Sequence, residues 1–90
     1  MNNSRKIALF AGSFNPFTRG HHAIVLRALA IFDEVVVAVG CNMEKGGTGI
    51  AQERVAVIEK VYAGEPRVQV VAYSGLTMDY ARSIGATALL

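Results

Sequence analysis

The chain has 90 residues, room for one domain, and 52% of them are hydrophobic, with a mean hydropathy of +0.35 that is apolar for so short a chain. A formal net charge of +2 is too small for the dense basic stripe of a nucleic-acid surface. The single cysteine, Cys41, excludes an intrachain disulfide, and no apolar run nears the ~18–20 residues that cross a bilayer. The expectation is a cytoplasmic protein without a nucleic-acid or membrane partner.

Residues 5–11, RKIALFA, read as a short buried strand ended by Gly12. Residues 21–32, HHAIVLRALAIF, read as a helix whose apolar face is Ile24, Val25, Ala28, Leu29 and Phe32. DEVVVAVGC, 33–41, is a second strand. Its unbroken β-branched run predicts burial on both faces. NMEKGGTG, 42–49, is a loop, and 50–64 is a helix closed by Gly64. RVQVVAY, 67–73, is a third strand, 76–85 a short helix also closed by glycine, and ATALL, 86–90, the start of a fourth strand. The pattern βαβαβαβ predicts an α/β, Rossmann-like parallel sheet with helices on both faces. The last residues lie inside an apolar strand, so the reading is one partial domain, 1–90, truncated before further sheet and helices.

Chemistry concentrates in GSFNPFTRGHH, Gly12 to His22, at the carboxyl end of the first strand. Ligands of open α/β sheets bind at that edge. Gly12 and Gly20 allow a ligand to approach the backbone closely, and Asn15-Pro16 sets a turn. Ser13 adds a hydroxyl. His21 falls at a helix N-terminus, where free N–H groups and the helix dipole favour an anion. Residues 1–32 carry Arg5, Lys6, Arg19 and Arg27 and no acid, which suits a small anionic ligand. The spacing is neither GxxxxGK[ST] nor GxGxxG, so the loop is a phosphate site of another kind.

GSFNPFTRGH resembles the (H/T)xGH signature of the nucleotidyltransferase superfamily, in the form G(S/T)FDPxTxGH. Within it, FDEVVVAV at 32–39, QERV at 52–55 and LTMDYAR at 76–82 are similar to the phosphopantetheine adenylyltransferase family. The resemblance implies transfer of AMP from ATP to 4′-phosphopantetheine, giving dephospho-CoA and pyrophosphate. It implies that His21 holds the α-phosphate, and that Ser13 and the backbone of Ser13 and Phe14 hold ATP. Ser13, Lys45 and Thr77 would meet the second substrate, with Lys45 bridging the phosphates of both. It further implies Mg²⁺ accompanying ATP, a homo-oligomer, hexameric in the family, and an Arg-Gly-x-Arg segment following the fourth strand.

Other residues have plainer readings. Thr77 also suits an N-cap. His22 reads as a first-turn helix residue, Cys41 as strand-end packing, and Glu53 and Arg54 as members of surface or structural ion pairs. Asn15 replaces the family's usual Asp and also occurs in nicotinate mononucleotide adenylyltransferases. That enzyme, a cytidylyltransferase or a non-catalytic nucleotide-binding module are therefore the alternatives.

Overall fold

The computed structural model describes residues 5–41 and 47–90. Among them, strands and helices alternate as β1 (Ile7–Gly12), α1 (Arg19–Leu29), β2 (Glu34–Gly40), α2 (Gly47–Val61), β3 (Val68–Tyr73), α3 (Thr77–Ser83) and β4 (Ala88–Leu89). The strands make one parallel sheet in the order β3-β2-β1-β4. Ile7 stands opposite Glu34, Val35 opposite Val68, and Ala8 opposite Ala88.

The β-branched run explains the centre of this sheet. Glu34 through Val39 are all buried. Alternate side chains point to opposite faces of a strand. Val35, Val37 and Val39 meet Val25 and Ala28 of α1, Ala51, Val55 and Ile58 of α2, and Tyr62 just after it. Val36 and Ala38 meet Leu9 and Ala81 of α3 on the other face. The sheet is thus covered on both sides, as the sequence predicts. Leu9 and Ile58 are almost wholly buried, and each such side chain contributes about 1.5–3 kcal/mol. Glu34, the buried charge at the start of β2, lies 3.4 Å from the Arg5 guanidinium.

The helix limits differ from the sequence reading, for local reasons. α1 begins two residues early, at Arg19, because Thr18 is its N-cap. Ile24, expected on its apolar face, is 39% exposed, and Val25 and Ala28 carry the buried face instead. α2 ends at Val61 rather than at Gly64, which does not adopt the left-handed conformation of a glycine cap. α3 does end on such a cap. Gly85 has φ 70°, its N–H reaches Arg82 O, and the Ala86 N–H reaches Ala81 O. Those two bonds satisfy carbonyls that the helix end leaves open.

The chain order positions the site. From β1 the chain steps through β2 to β3, then returns to place β4 on the other edge of β1. The direction reverses between β1 and β4. In open α/β sheets the ligand crevice lies at the carboxyl ends of the strands beside such a reversal. The loop from Gly12 to Thr18 leaves β1 at that point.

Candidate functional site

Loop geometry starts with Phe14. It has φ 47°, a left-handed conformation that bulky residues rarely adopt. Its surroundings impose it. The ring is buried, with centroids 5.0 Å from Phe10, 5.4 Å from Phe17 and 5.1 Å from His21. A Cβ on Gly12 would lie in van der Waals contact with the Phe14 ring, 3.4 Å away. Gly20, inside the first turn of α1, is different. A Cβ on it would meet only Thr18 Oγ1, at 3.5 Å, so the space in front of the helix end stays open. Asn15 and Pro16 make the expected turn, with a cis peptide bond between them.

His21 is fixed by the helix cap. The Thr18 N–H donates to His21 Nδ1 at 2.9 Å, and the His21 N–H donates to Thr18 Oγ1 at 3.3 Å. This is a capping box in which histidine takes the place usually held by Glu or Gln. A ring nitrogen that accepts from a backbone N–H carries no proton of its own. The neutral imidazole therefore holds its proton on Nε2, and the ring presents an N–H donor. Three phenylalanine rings, Phe10, Phe14 and Phe17, flank it. With the His21 and His22 N–H groups bonded to Thr18, the Arg19 and Gly20 N–H groups of the first turn have no acceptor among the described residues. The loop therefore offers a fixed imidazole donor beside free backbone donors, an arrangement suited to an anion.

The remaining candidates separate clearly. Ser13 is exposed at the loop's crest. His22 turns away from the loop, and its Nδ1 lies 2.8 Å from the Tyr62 hydroxyl, tying α1 to α2. Burial pushes the Tyr62 phenol up to about 12. Thr77 is not an N-cap. The cap of α3 is Leu76, and the Thr77 hydroxyl instead lies 2.8 Å from that of Tyr73, whose ring stacks on Tyr80. Burial also raises the Tyr80 phenol. Thr77 thus stands on the same carboxyl edge as the loop, two strands away from β1. Cys41 packs against the core, as expected of a strand-end residue. Lys45 lies outside the described residues.

Arg54 corrects the sequence reading. Neither ion pair among the described residues includes it or Glu53. Its guanidinium reaches across to the loop and donates to the Ser13 carbonyl at 3.1 Å. Both residues line a cleft of about 390 Å³ between the loop and α2, with Phe14, Phe17, Ile50 and Val57. The residue sits within QERV, but nothing in one helix's sequence reveals which carbonyl its side chain will meet. The Thr18 cap is hard to see in the sequence for a plainer reason: the Thr-x-x-His spacing matches a capping box, but with an unusual fourth member.

Comparison with known proteins bears on the family and the fold. The chain is 55% identical over 86 residues to phosphopantetheine adenylyltransferase of Porphyromonas gingivalis, covering 96% of this chain and 56% of that protein. It is 49% identical over 76 residues to the enzyme of the same name from Phocaeicola vulgatus, covering 84% of this chain and 50% of that protein. The chain therefore spans about half the length of the curated relatives it matches. A crystal structure of NadR protein in complex with NAD and AMP-PNP superposes with a TM-score of 0.69 at 17% identity, over 91% of this chain and 26% of that one. That likeness concerns the fold. The profile of the cytidylyltransferase-like family matches residues 9–90, which include the whole capped loop after β1 and the reversal in strand order beside it. By that match, and by the loop it contains, the chain belongs to the cytidylyltransferase-like family.

Proposed function

We propose that this chain supplies the phosphate-binding side of an adenylyltransferase that transfers AMP from ATP to 4′-phosphopantetheine, yielding dephospho-CoA and pyrophosphate. One observation carries the reading. His21 is held by Thr18 through Nδ1, which leaves its Nε2–H as the ring's donor, in the same helix turn as N–H groups that have no acceptor among the described residues. The named relatives support the choice of substrates. In the reaction, an oxygen of the acceptor phosphate forms a bond to the α-phosphorus of ATP. The bond from that phosphorus to the β-bridging oxygen breaks, and pyrophosphate leaves with the electron pair. The protein's task is positioning and charge stabilisation.

In this reading His21 donates to the α-phosphate and stabilises the charge that builds there. The backbone of Ser13 and Phe14 holds ATP, and the Ser13 hydroxyl lies between the two phosphates. Lys45 neutralises both substrates, and Thr77 meets the pantetheine arm from the far side of the carboxyl edge. Mg²⁺ belongs to the substrate, MgATP. Among the described residues no group of three His, Cys, Asp or Glu side chains gathers around an ion, and magnesium is commonly held by phosphates and water. The 90 residues form part of one nucleotidyltransferase domain. The oligomer and the cytoplasmic location follow from the resemblance. No helix among the described residues is long and apolar enough to cross a membrane.

The test is an acceptor-dependent assay on the protein expressed from the complete open reading frame. Pyrophosphate release from ATP should depend on 4′-phosphopantetheine. Release that instead requires nicotinate mononucleotide would replace the acceptor in this reading. ATP binding with no release for any acceptor would replace it with a non-catalytic nucleotide-binding module.

A further inference from the structure

Arg54 holds one peptide of the loop in a defined direction. It comes from α2, in the middle of a helix whose other face is packed into the core through Ala51, Val55 and Ile58. Its base is therefore rigid. Its guanidinium donates to the Ser13 carbonyl at 3.1 Å. The Ser13–Phe14 peptide is trans, so its carbonyl and its N–H point in opposite directions. Holding the carbonyl toward α2 sends the Phe14 N–H away from α2. That N–H meets no backbone acceptor among the described residues.

Phe14 is anchored on its other side as well. Its ring is 5% exposed and flanked by Phe10, Phe17 and His21. A left-handed φ of 47° at a phenylalanine is a strained choice. Without a second anchor, the peptide before it could rotate while the ring stayed in the core. Arg54 is that second anchor. The two restraints leave the amide one direction.

We propose that Arg54 is a positioning residue: by holding the Ser13 carbonyl it aims the free Phe14 N–H at the ligand phosphate, beside the Nε2–H of His21. The guanidinium does not touch the reacting atoms. It lines the cleft on the carbonyl side of the peptide, and the phosphate is received on the other. This inference rests on the phosphate-binding reading of the loop, but not on the identity of the acceptor.

Donors aimed in advance contribute chiefly where charge builds in the transition state. Arg54→Met, in the protein from the complete open reading frame, should therefore lower kcat on the order of 100-fold, while KM for ATP changes less than about threefold. Arg54→Lys keeps a donor on a long stem and should recover part of the loss. In protein labelled with ¹⁵N-phenylalanine, ATP should move the Phe14 amide resonance downfield in the wild type and in Arg54→Lys, but not in Arg54→Met. A drop in melting temperature with kcat intact would overturn the proposal. So would a Phe14 amide that answers ATP equally in Arg54→Met and the wild type. Should Arg54→Met not fold, Arg54→Gln takes its place, and a wild-type Phe14 amide that ignores bound ATP suffices to reject the proposal. The transfer reading fails separately. If wild-type protein binds ATP but transfers nothing, the amide response across the variants still decides the role of Arg54.

Discussion

His21 has two tasks on two different ring atoms, and they can be separated by substitution. Nδ1 accepts from the Thr18 N–H and closes the capping box. Nε2 is left as the donor. His21→Ala removes both. Its stability should fall by about 0.5–1.5 kcal/mol, the net value of the one hydrogen bond lost, and kcat should fall on the order of 10²–10³-fold, as when one oxyanion donor is lost. His21→Glu separates the two. Glutamate at this position is the usual partner in a Thr-x-x-Glu box, so its melting temperature should stay near that of the wild type. Its carboxylate, however, would face the ligand phosphate where a donor stood. ATP affinity and turnover should both collapse. Calorimetric titration with ATP, paired with thermal unfolding, distinguishes the two variants. If His21→Glu bound ATP normally, Nε2 would have no part in phosphate recognition.

At the scale of elements, α1 acts as the aiming device, and its cap is the control. Thr18→Ala leaves the Thr18 N–H in place but removes the hydroxyl that accepts from the His21 N–H at 3.3 Å. The helix start should lose about 0.5–2 kcal/mol. The imidazole, no longer held within a closed box, should lose part of its alignment, so kcat should fall several-fold more than ATP affinity. Thr18→Ser keeps the oxygen and should restore both. Chemical denaturation alongside steady-state kinetics checks this pair. The same helix shows what a sequence makes legible. Its existence follows from Val25, Ala28 and Leu29, and the strands follow from runs such as Val35–Val39, because periodicity reports burial directly. Its start does not, because a histidine closing the box has the hydrogen-bonding capacity of Glu but not its statistical signature. His21 as the phosphate-facing residue is legible from its place after a buried strand and two glycines. Arg54 is not. Its partner is a carbonyl 41 residues away, and only the packing of α2 against β2 and β3 brings them together.

For the whole molecule, the two faces of the sheet share a weakness in alkali. Tyr62 belongs to the core beneath α1 and α2, and Tyr80 packs on the opposite face with α3. Burial raises both phenols, Tyr62 from 10.0 to about 12. A raised value in the folded state means that, between the two values, the folded chain binds the proton more tightly than the unfolded chain. Unfolding in that window releases protons and is favoured by rising pH. The contribution of Tyr62 is thus fully present below pH 10 and is lost as the pH climbs through about 12. Tyr62→Phe removes the titrating group and also the 2.8 Å bond to His22 Nδ1. At pH 7 the variant should be less stable by about 0.5–1.5 kcal/mol, the net value of one hydrogen bond. Its urea midpoint should then decline less steeply than that of the wild type above pH 10. The two curves should converge, and cross if burial of the phenolate is the dominant cost. Urea midpoints of both proteins, taken at intervals from pH 7 to pH 12, measure this. Parallel curves would mean that water reaches the Tyr62 hydroxyl in the folded state, and that the bond to His22 is the only contribution this oxygen makes to joining α1 and α2.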